Sequence, residues 1–209
     1  MQYYRTIFCD KTVRNPLICS ETNLVELRIW DKWHLARKIF SIGKPFEAID
    51  KKIIFRSADE ADDGEPDDVL QNSDMVPIFS RRLVRALNEA GIEDIQYIPI
   101  DVYTSKNELL EGFCIANVLK LVDNAFNYEH SVYERYSIND ERVSFRGKMK
   151  TPLKYVLNQK AIDGLDVFKL APTEETFNGT WHFFVSERFK NVFTKNKFHG
   201  FSFHLIETV

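Results

Sequence analysis

The chain has 209 residues, of which 44% are hydrophobic and 28% charged, and its formal net charge is −3. This length can bury a large core without disulfides or metals, and the mild negative charge gives no general attraction to nucleic acid. No apolar run approaches the roughly 18 residues that cross a membrane, and "MQYYRTIFCD" at the start lacks the basic and apolar regions of a signal peptide.

The three cysteines, Cys9, Cys19 and Cys114, are odd in number and match no metal or redox spacing. We therefore expect reduced thiols and a cytoplasmic protein. The chain contains no glycine-rich phosphate loop, no H-E-x-x-H and no G-x-S-x-G motif, so we expect no cofactor, no metal and no catalytic residues.

Strands are predicted over 2–9, 23–30 and 51–57 because β-branched and aromatic residues recur there, with alternation clearest in "NLVELRIW". The segment 31–40, "DKWHLARKIF", is compatible with a short helix. Trp33 within it is a candidate anchor for a protein partner, since Trp and Tyr are enriched among the residues that dominate interfaces. Packing in a core is the ordinary alternative for such a tryptophan.

The segment 59–68, "DEADDGEPDD", concentrates negative charge and contains Gly and Pro, which predicts a solvated loop. Its acidic residues are Asp59, Glu60, Asp62, Asp63, Glu65, Asp67 and Asp68. Ala61 and Leu70 occupy positions where a calcium loop needs oxygen ligands, so this is not an EF-hand. The more specific hypothesis is an acidic surface that attracts a cationic protein, since charge complementarity speeds association and selects partners.

One stretch occurs twice in similar form. "SRRLVRALNEAGIEDIQYIP" begins at Ser80 and "SERFKNVFTKNKFHGFSFHL" begins at Ser186, with apolar residues at matching positions. Each predicts a serine-capped helix, a left-handed turn and a strand, over about 80–99 and 186–205. The only identities are one serine and one arginine per copy, and the serine already has a capping role. The sequence repeat therefore favours a repeated piece of architecture over a repeated active site.

The remaining chain predicts strands over 112–123, 143–149, 152–157, 165–170 and 180–186. The fold class is α+β, with mostly β-strands in mixed or antiparallel sheets and a few short helices, including the helix–turn–strand unit used twice. We expect a single domain over 1–209, with a division into a variable part (1–105) and a C-terminal part (106–209) as the alternative. The polar and aromatic stretch 124–137 contains Tyr133, a second candidate anchor.

Three stretches together resemble a known family: "VPIFSRRLVRALNEAGIEDIQYIPI", "GFCIANVLKLVDNAFNYEHS" and "DGLDVFKL…FFVSERFKNVF…HGFSFHLIE". Their order is similar to that of predicted immunity proteins of bacterial polymorphic toxin systems, the "immunity protein eleven" type, over about residues 76–207. The resemblance implies a non-enzymatic protein that binds and neutralises a cognate toxin encoded by a neighbouring gene. It brings no catalytic residues.

The acidic residues 59–68 with Trp33 and Tyr133 form the candidate contact surface, and we expect no membrane or nucleic-acid partner. Two other classes of function remain open from the residues. One is an enzyme with a spatially assembled site, for which Cys114 and His130 are the pair to test. The other is a structural or accessory protein of a secretion or phage particle, which would self-associate without any toxin.

Overall fold

The structure is a computed structural model that describes residues 1–8, 17–23, 43–47, 51–60, 63–73, 76–173, 175 and 183–209. Its strands are β1 (Tyr3–Phe8), β2 (Ile18–Cys19), β3 (Glu21–Thr22), β4 (Ile54–Arg56), β5 (Val69–Asn72), β6 (Ile78–Ser80), β7 (Ile95–Tyr103), β8 (Leu109–Val118), β9 (Leu121–Val122), β10 (Val132–Arg135), β11 (Met149–Lys154), β12 (Val156–Leu157), β13 (Val167–Leu170), β14 (Phe184–Ser186) and β15 (Phe201–Thr208). Its helices are α1 (Arg81–Glu89), α2 (Val143–Arg146), α3 (Gln159–Ile162) and α4 (Glu187–Lys195). None of these helices is long and apolar enough to cross a membrane.

Two sheets and one hairpin contain all the described strands. The first sheet has the order β2-β5-β6-β8-β7-β4-β3, and the second has the order β12-β15-β1-β14-β13-β9. β10 and β11 form a separate antiparallel hairpin. We call the first sheet with α1 the first unit. We call the second sheet with α4, together with the β10–β11 hairpin and the other segments packed against that sheet, the second unit.

The two units share strand order and register. In the first, Phe113 lies between Ser80 on one neighbouring strand and Ile100 on the other. In the second, Tyr3 lies between Ser186 and Ile206 in the same way. Both units also have parallel pairs toward their edges, β4 with β7 and β2 with β5 in one, β12 with β15 and β9 with β13 in the other. The first sheet has one further strand, β3, which is antiparallel to β4. The chain therefore contains one architecture twice. The repeated part is much larger than the helix and strand that the sequence repeat indicated.

The second unit takes one of its strands from the other end of the chain. β8 follows β7 directly and pairs with both β7 and β6. In the second unit the same place, between β14 and β15, is filled by β1. The N-terminal strand thus completes the C-terminal unit, and the first and last strands of the chain are hydrogen-bonded neighbours.

Three hydrophobic clusters form the core, and the central one joins the two units. A central cluster lies between the two sheets and contains residues of both helices, including Leu83, Leu87, Phe189 and Phe193. Each sheet has a second cluster on its other face, one around Phe55 and the other around Phe168; we call these the outer clusters. Many phenylalanines meet edge to face in the central cluster, as Phe183 and Phe201 do at 5.3 Å, which accounts for much of the high Phe content.

The α+β class, the mixed and antiparallel sheets and the doubled helix–turn–strand unit are confirmed. The alternative domain boundary at residue 105 lies between β7 and β8, and these two strands pair with each other. The single-domain organisation stays a prediction. Most of the predicted strand 23–30, the segment 31–40 and residues 180–182 lie outside the described residues.

The predicted strand 143–149 is wrong, because residues 143–146 form the short helix α2 and only Met149 belongs to a strand. The side chain of Asp140 accepts a hydrogen bond from the backbone N–H of Arg142 at 3.0 Å, which turns the chain before the helix. Gly147, at φ +83°, then ends the helix. The helix α3 was not predicted at all.

The turn after each long helix has the same left-handed backbone, although only one copy has glycine there. Gly91 has φ +67° and the corresponding Lys197 has φ +52°. A side chain in this region is disfavoured relative to glycine because its Cβ crowds the following carbonyl oxygen. Lys197 is exposed, so its side chain gains little packing that would offset this strain.

We predict that Lys197→Gly raises the free energy of unfolding by about 0.5–1 kcal/mol, because the strain is larger than the added entropy of the unfolded chain. Gly91→Ala is the matched change in the other unit, and it should lower that free energy by about 1 kcal/mol. Urea unfolding monitored by tryptophan fluorescence measures both. Destabilisation by Lys197→Gly would contradict the equivalence of the two turns.

Candidate partner-binding surface

The acidic segment connects β4 to β5 in the first unit and is fixed at several points. Asp63 accepts hydrogen bonds from Ser105, at 2.9 Å from its backbone N–H and 2.6 Å from its hydroxyl. These bonds lower the pKa of the Asp63 carboxyl, so it is charged at neutral pH. The Nζ of Lys106 lies 3.6 Å from a carboxylate oxygen of Glu60, which places the segment against the β7–β8 turn.

The expectation of a fully solvated loop is wrong for its last two acids, because Asp67 and Asp68 are only 8% and 7% exposed. Asp68 accepts hydrogen bonds from the hydroxyl of Ser80 at 2.8 Å and from Nη2 of Arg82 at 2.7 Å. The Ser80 hydroxyl in turn accepts the N–H of Leu83 and caps α1. Asp68 thus connects the start of β5 to the first turn of α1. Because its carboxylate is charged, these hydrogen bonds are stronger than those between neutral groups.

The same arrangement of aspartate, serine and arginine occurs in the second unit. Asp166 accepts hydrogen bonds from the hydroxyl of Ser186 at 2.6 Å and pairs with Arg188 at 3.0 Å. In both units the backbone N–H of the serine also bonds to the carbonyl of the aspartate. The serine and arginine that the two sequence copies share are therefore structural. Asp166 belongs to the stretch "DGLDVFKL" that carries the family resemblance, but sequence reasoning did not identify its pairing with Ser186 and Arg188.

Each arginine of these pairs also reaches the other unit. Arg82 lies over the ring of Phe198 at 4.8 Å, just beyond the C-terminal end of α4. Arg188 donates a hydrogen bond to the carbonyl of Ala90, the residue that ends α1. The contacts are reciprocal, as across a two-fold axis. The two aspartates therefore position the arginines that join the units.

Of the acids in this segment that the structure describes, Asp59, Glu60 and Glu65 are exposed, and they lie between β4 and β5 of the first unit. The first unit is strongly acidic: the described side chains of residues 17–118 include 8 basic and 14 acidic ones, a formal charge of −6. The described side chains of residues 1–8 and 119–209 include 13 basic and 10 acidic ones, a formal charge of +3. The molecule therefore presents a negative field at the first unit, to which the exposed acids contribute.

The two aromatic residues proposed as anchors for a partner are Trp33 and Tyr133. Trp33 lies outside the described residues, as does Asp62 of the acidic segment. Tyr133 is half-buried on β10 of the second unit, where the guanidinium of Arg135 stacks on its ring at 5.4 Å and donates a hydrogen bond to its hydroxyl at 3.1 Å. Tyr133 thus belongs to a different unit from the acidic segment.

The cysteine and histidine of the enzyme alternative have separate surroundings. Cys114 lies on β8, where its thiol contacts the carbonyl of Phe79 at 3.7 Å. Burial raises the pKa of Cys114 to about 12, so the thiol is protonated at neutral pH and is a poor nucleophile. The His130 ring is exposed and contacts the side chain of Asn127 at 3.0 Å.

Comparison with known proteins identifies the class and the family. The molecule is an α+β protein made of two like units with a charged surface on one of them. A family model described as "Immunity protein family (Imm11)" matches residues 4–208, nearly the whole chain. The chain therefore belongs to the Imm11 immunity protein family, and the match includes residues 4–75, which sequence reasoning could not assign. No curated protein matches the chain.

We predict that Asp68→Asn and Asp166→Asn each lower the free energy of unfolding by about 2 kcal/mol, because each removes charge-assisted hydrogen bonds at a helix start. Asp59→Asn, at an exposed position of the same segment, is the control and should change it by less than about 0.5 kcal/mol. Urea unfolding of the three variants is the measurement. Equal stability of Asp68→Asn and Asp59→Asn would remove Asp68 from its structural role.

Proposed function

We propose that this protein is a non-enzymatic immunity protein that binds a cognate bacterial toxin and neutralises it by covering its active surface. The match to the Imm11 family over residues 4–208 carries the proposal. The toxin would be encoded by a neighbouring gene of a polymorphic toxin system and would act in the cytoplasm, where this protein would meet it. One-to-one occlusion needs shape and charge complementarity and no reacting groups.

The acidic end of the first unit is the contact surface that we propose for the toxin. Asp59, Glu60 and Glu65 are exposed there, and the −6 charge of the first unit's described side chains would draw a cationic surface toward them. Because Asp63 and Asp68 are held by hydrogen bonds inside the first unit, their contribution is to fix the segment in place. A fixed segment loses little conformational entropy on binding, which favours tight association.

A toxin with a cationic cleft for phosphate groups suits such a surface best, because clustered carboxylates can take the place of phosphates there. The association rate constant should then be high at low salt and fall as ionic strength rises. A toxin that recognises an uncharged substrate offers no such cleft, and its association rate would be nearly independent of salt. The salt dependence therefore separates these two kinds of toxin.

We predict that replacing Asp59, Glu60 and Glu65 together by Lys slows association with the toxin at least tenfold at low salt, because the steering field at the contact is reversed. The matched control replaces the exposed acids Glu129, Glu141 and Asp163 of the second unit by Lys and changes net charge by the same amount. Stopped-flow association kinetics measures both. Equal rates for the two variants would remove the acidic segment from the interface.

The enzyme alternative makes a different prediction at Cys114 and His130. We expect Cys114→Ala and His130→Ala each to retain full protection of toxin-expressing cells, because occlusion requires neither a thiolate nor a base. Survival of those cells, with circular dichroism of the purified variants, is the measurement. Lost protection in a variant that still folds and still binds the toxin would favour catalysis.

A further inference from the structure

The strand β15 is paired along one side and along only the end of the other. β1 pairs with it from Phe201 to Ile206. On the opposite side, β12 pairs with it only at Glu207 and Thr208. Among the strands that the structure describes, β15 has no other neighbour. The side away from β1 is thus an open edge over residues 201–205, which we call the β15 edge.

The direction of the backbone groups at the β15 edge follows from the pairing with β1. The N–H of Thr6 bonds to the carbonyl of Phe183, just before β14, so Thr6 directs its backbone groups away from β15. Phe203 lies opposite Thr6 and therefore directs its own N–H and C=O to the open side. Phe201 and Leu205, two residues to either side, do the same because the direction alternates along a strand. The described part of the chain supplies no backbone partner to these three residues on that side.

The first unit protects the corresponding edge of β7 in two ways. Ile100 and Ile206 occupy the same place in the two sheets, so Pro99 corresponds to Leu205. Proline has no N–H to offer to a further strand. β7 also has an irregular register between Ile100 and Val102, whereas β15 pairs with β1 in continuous register. Proline and bulges are devices by which proteins prevent pairing at sheet edges, and the β15 edge has neither.

The residues of the β15 edge favour pairing with another strand. Residues 201–206 read "FSFHLI", a stretch of high strand preference without lysine, arginine, aspartate or glutamate. Leu205 is 62% exposed, so its apolar side chain is available to a partner. Lys154 and Glu207, just beyond the edge, pair with each other at 2.6 Å. The toxin proposed above is attracted by negative charge on the first unit, and charge gives no reason to place it at this edge.

A second copy of the β15 edge is complementary to the first. When two β15 strands run antiparallel about a two-fold axis at Phe203, Phe203 of one copy lies opposite Phe203 of the other, and Leu205 lies opposite Phe201. All these residues direct their backbone groups outward, so the three pairs exchange about six hydrogen bonds. Leu205 then packs against phenylalanines of the other copy on the same face of the sheet. The contact ends at Glu207, where β12 occupies the edge.

We propose that two copies of this protein form a dimer by pairing their β15 edges, which joins their second sheets into one continuous sheet. The partner is identified by the self-complementarity of the edge, whose outward backbone groups match their own arrangement about a two-fold axis. The contact is short, so the dimer dissociates on dilution. The proposal is independent of the proposed function, and one toxin per chain remains the expected stoichiometry.

The test gives β15 the residue that protects β7. Leu205→Pro removes an outward N–H at a place where the first unit accommodates Pro99. Sedimentation velocity over an about hundredfold range of concentration should show reversible dimerisation of the wild type. Leu205→Pro should raise the dissociation constant of the dimer by at least about tenfold. Leu205→Val keeps the N–H and the strand preference and is the matched control, with a dissociation constant within about threefold of wild type.

Leu205→Lys keeps the test decisive if the proline variant fails to fold, because a lysine on an edge strand opposes pairing. Leu153→Lys changes a leucine on β11 that is also 62% exposed, and as the control it should leave the dimer intact. Circular dichroism confirms that each variant folds. Hydrogen exchange adds a direct readout: the amides of Phe203 and Leu205 should exchange more slowly at high than at low concentration of the wild type.

A wild type that stays monomeric over the whole range of concentration would overturn the dimer. A dimer that persists in folded Leu205→Pro and Leu205→Lys would also overturn it, because the contact would then lie elsewhere. Loss of toxin binding in both variants of a monomeric wild type would show that the β15 edge receives a strand of the toxin and not a second copy.

Discussion

A carboxylate hydrogen-bonded to a serine and an arginine connects a strand with the start of a helix in each half of this protein. Asp68 and Asp166 are these carboxylates, and each precedes a sheet strand while accepting the hydroxyl of the helix-capping serine. Charge-assisted hydrogen bonds of this kind are stronger than neutral ones and are directional. The position of each long helix on its sheet therefore depends on one aspartate, and the central cluster depends on the position of the helices.

Asp68 also links the two units. The backbone N–H of His199 donates to its carboxylate at 3.2 Å, and the carbonyl of His199 accepts the N–H of Val69 at 3.0 Å. The adjacent Gly200 has φ +106°, and a Cβ there would lie 2.2 Å from the carbonyl oxygen of Val69. Only glycine allows this approach. The acidic segment thus ends in a residue that connects the two units.

The sequence could predict the doubled helix and strand because buried positions and caps leave local patterns. Leu83 with Leu87 and Phe189 with Phe193 have helical spacing, and each pair follows a capping serine. The full extent of the duplication could not be found that way. Asp68 lies 12 residues before its serine but Asp166 lies 20 before its own, so one alignment offset cannot match both. The place of β1 beside β15 also escaped local reasoning, because the two strands lie at opposite ends of the chain.

The candidate surface was predictable in composition but not in geometry. The acidic run was evident in the sequence, yet the burial of Asp67 and Asp68 arises from β5, which begins directly after them. Tyr133 was identified by residue type alone, and the stacking of Arg135 on its ring has no signal in the sequence. Duplication helps to separate structural residues from the rest, because the aspartate, serine and arginine common to both units serve the fold, whereas the acidic run occurs in one unit only.

Calorimetric titration of the protein with an inactivated form of the proposed cognate toxin tests the account most directly. We predict a one-to-one complex with a nanomolar dissociation constant, a binding free energy of about −12 kcal/mol. No detectable heat at several temperatures, with both proteins shown to be folded, would contradict the account and leave the family membership without the function proposed here.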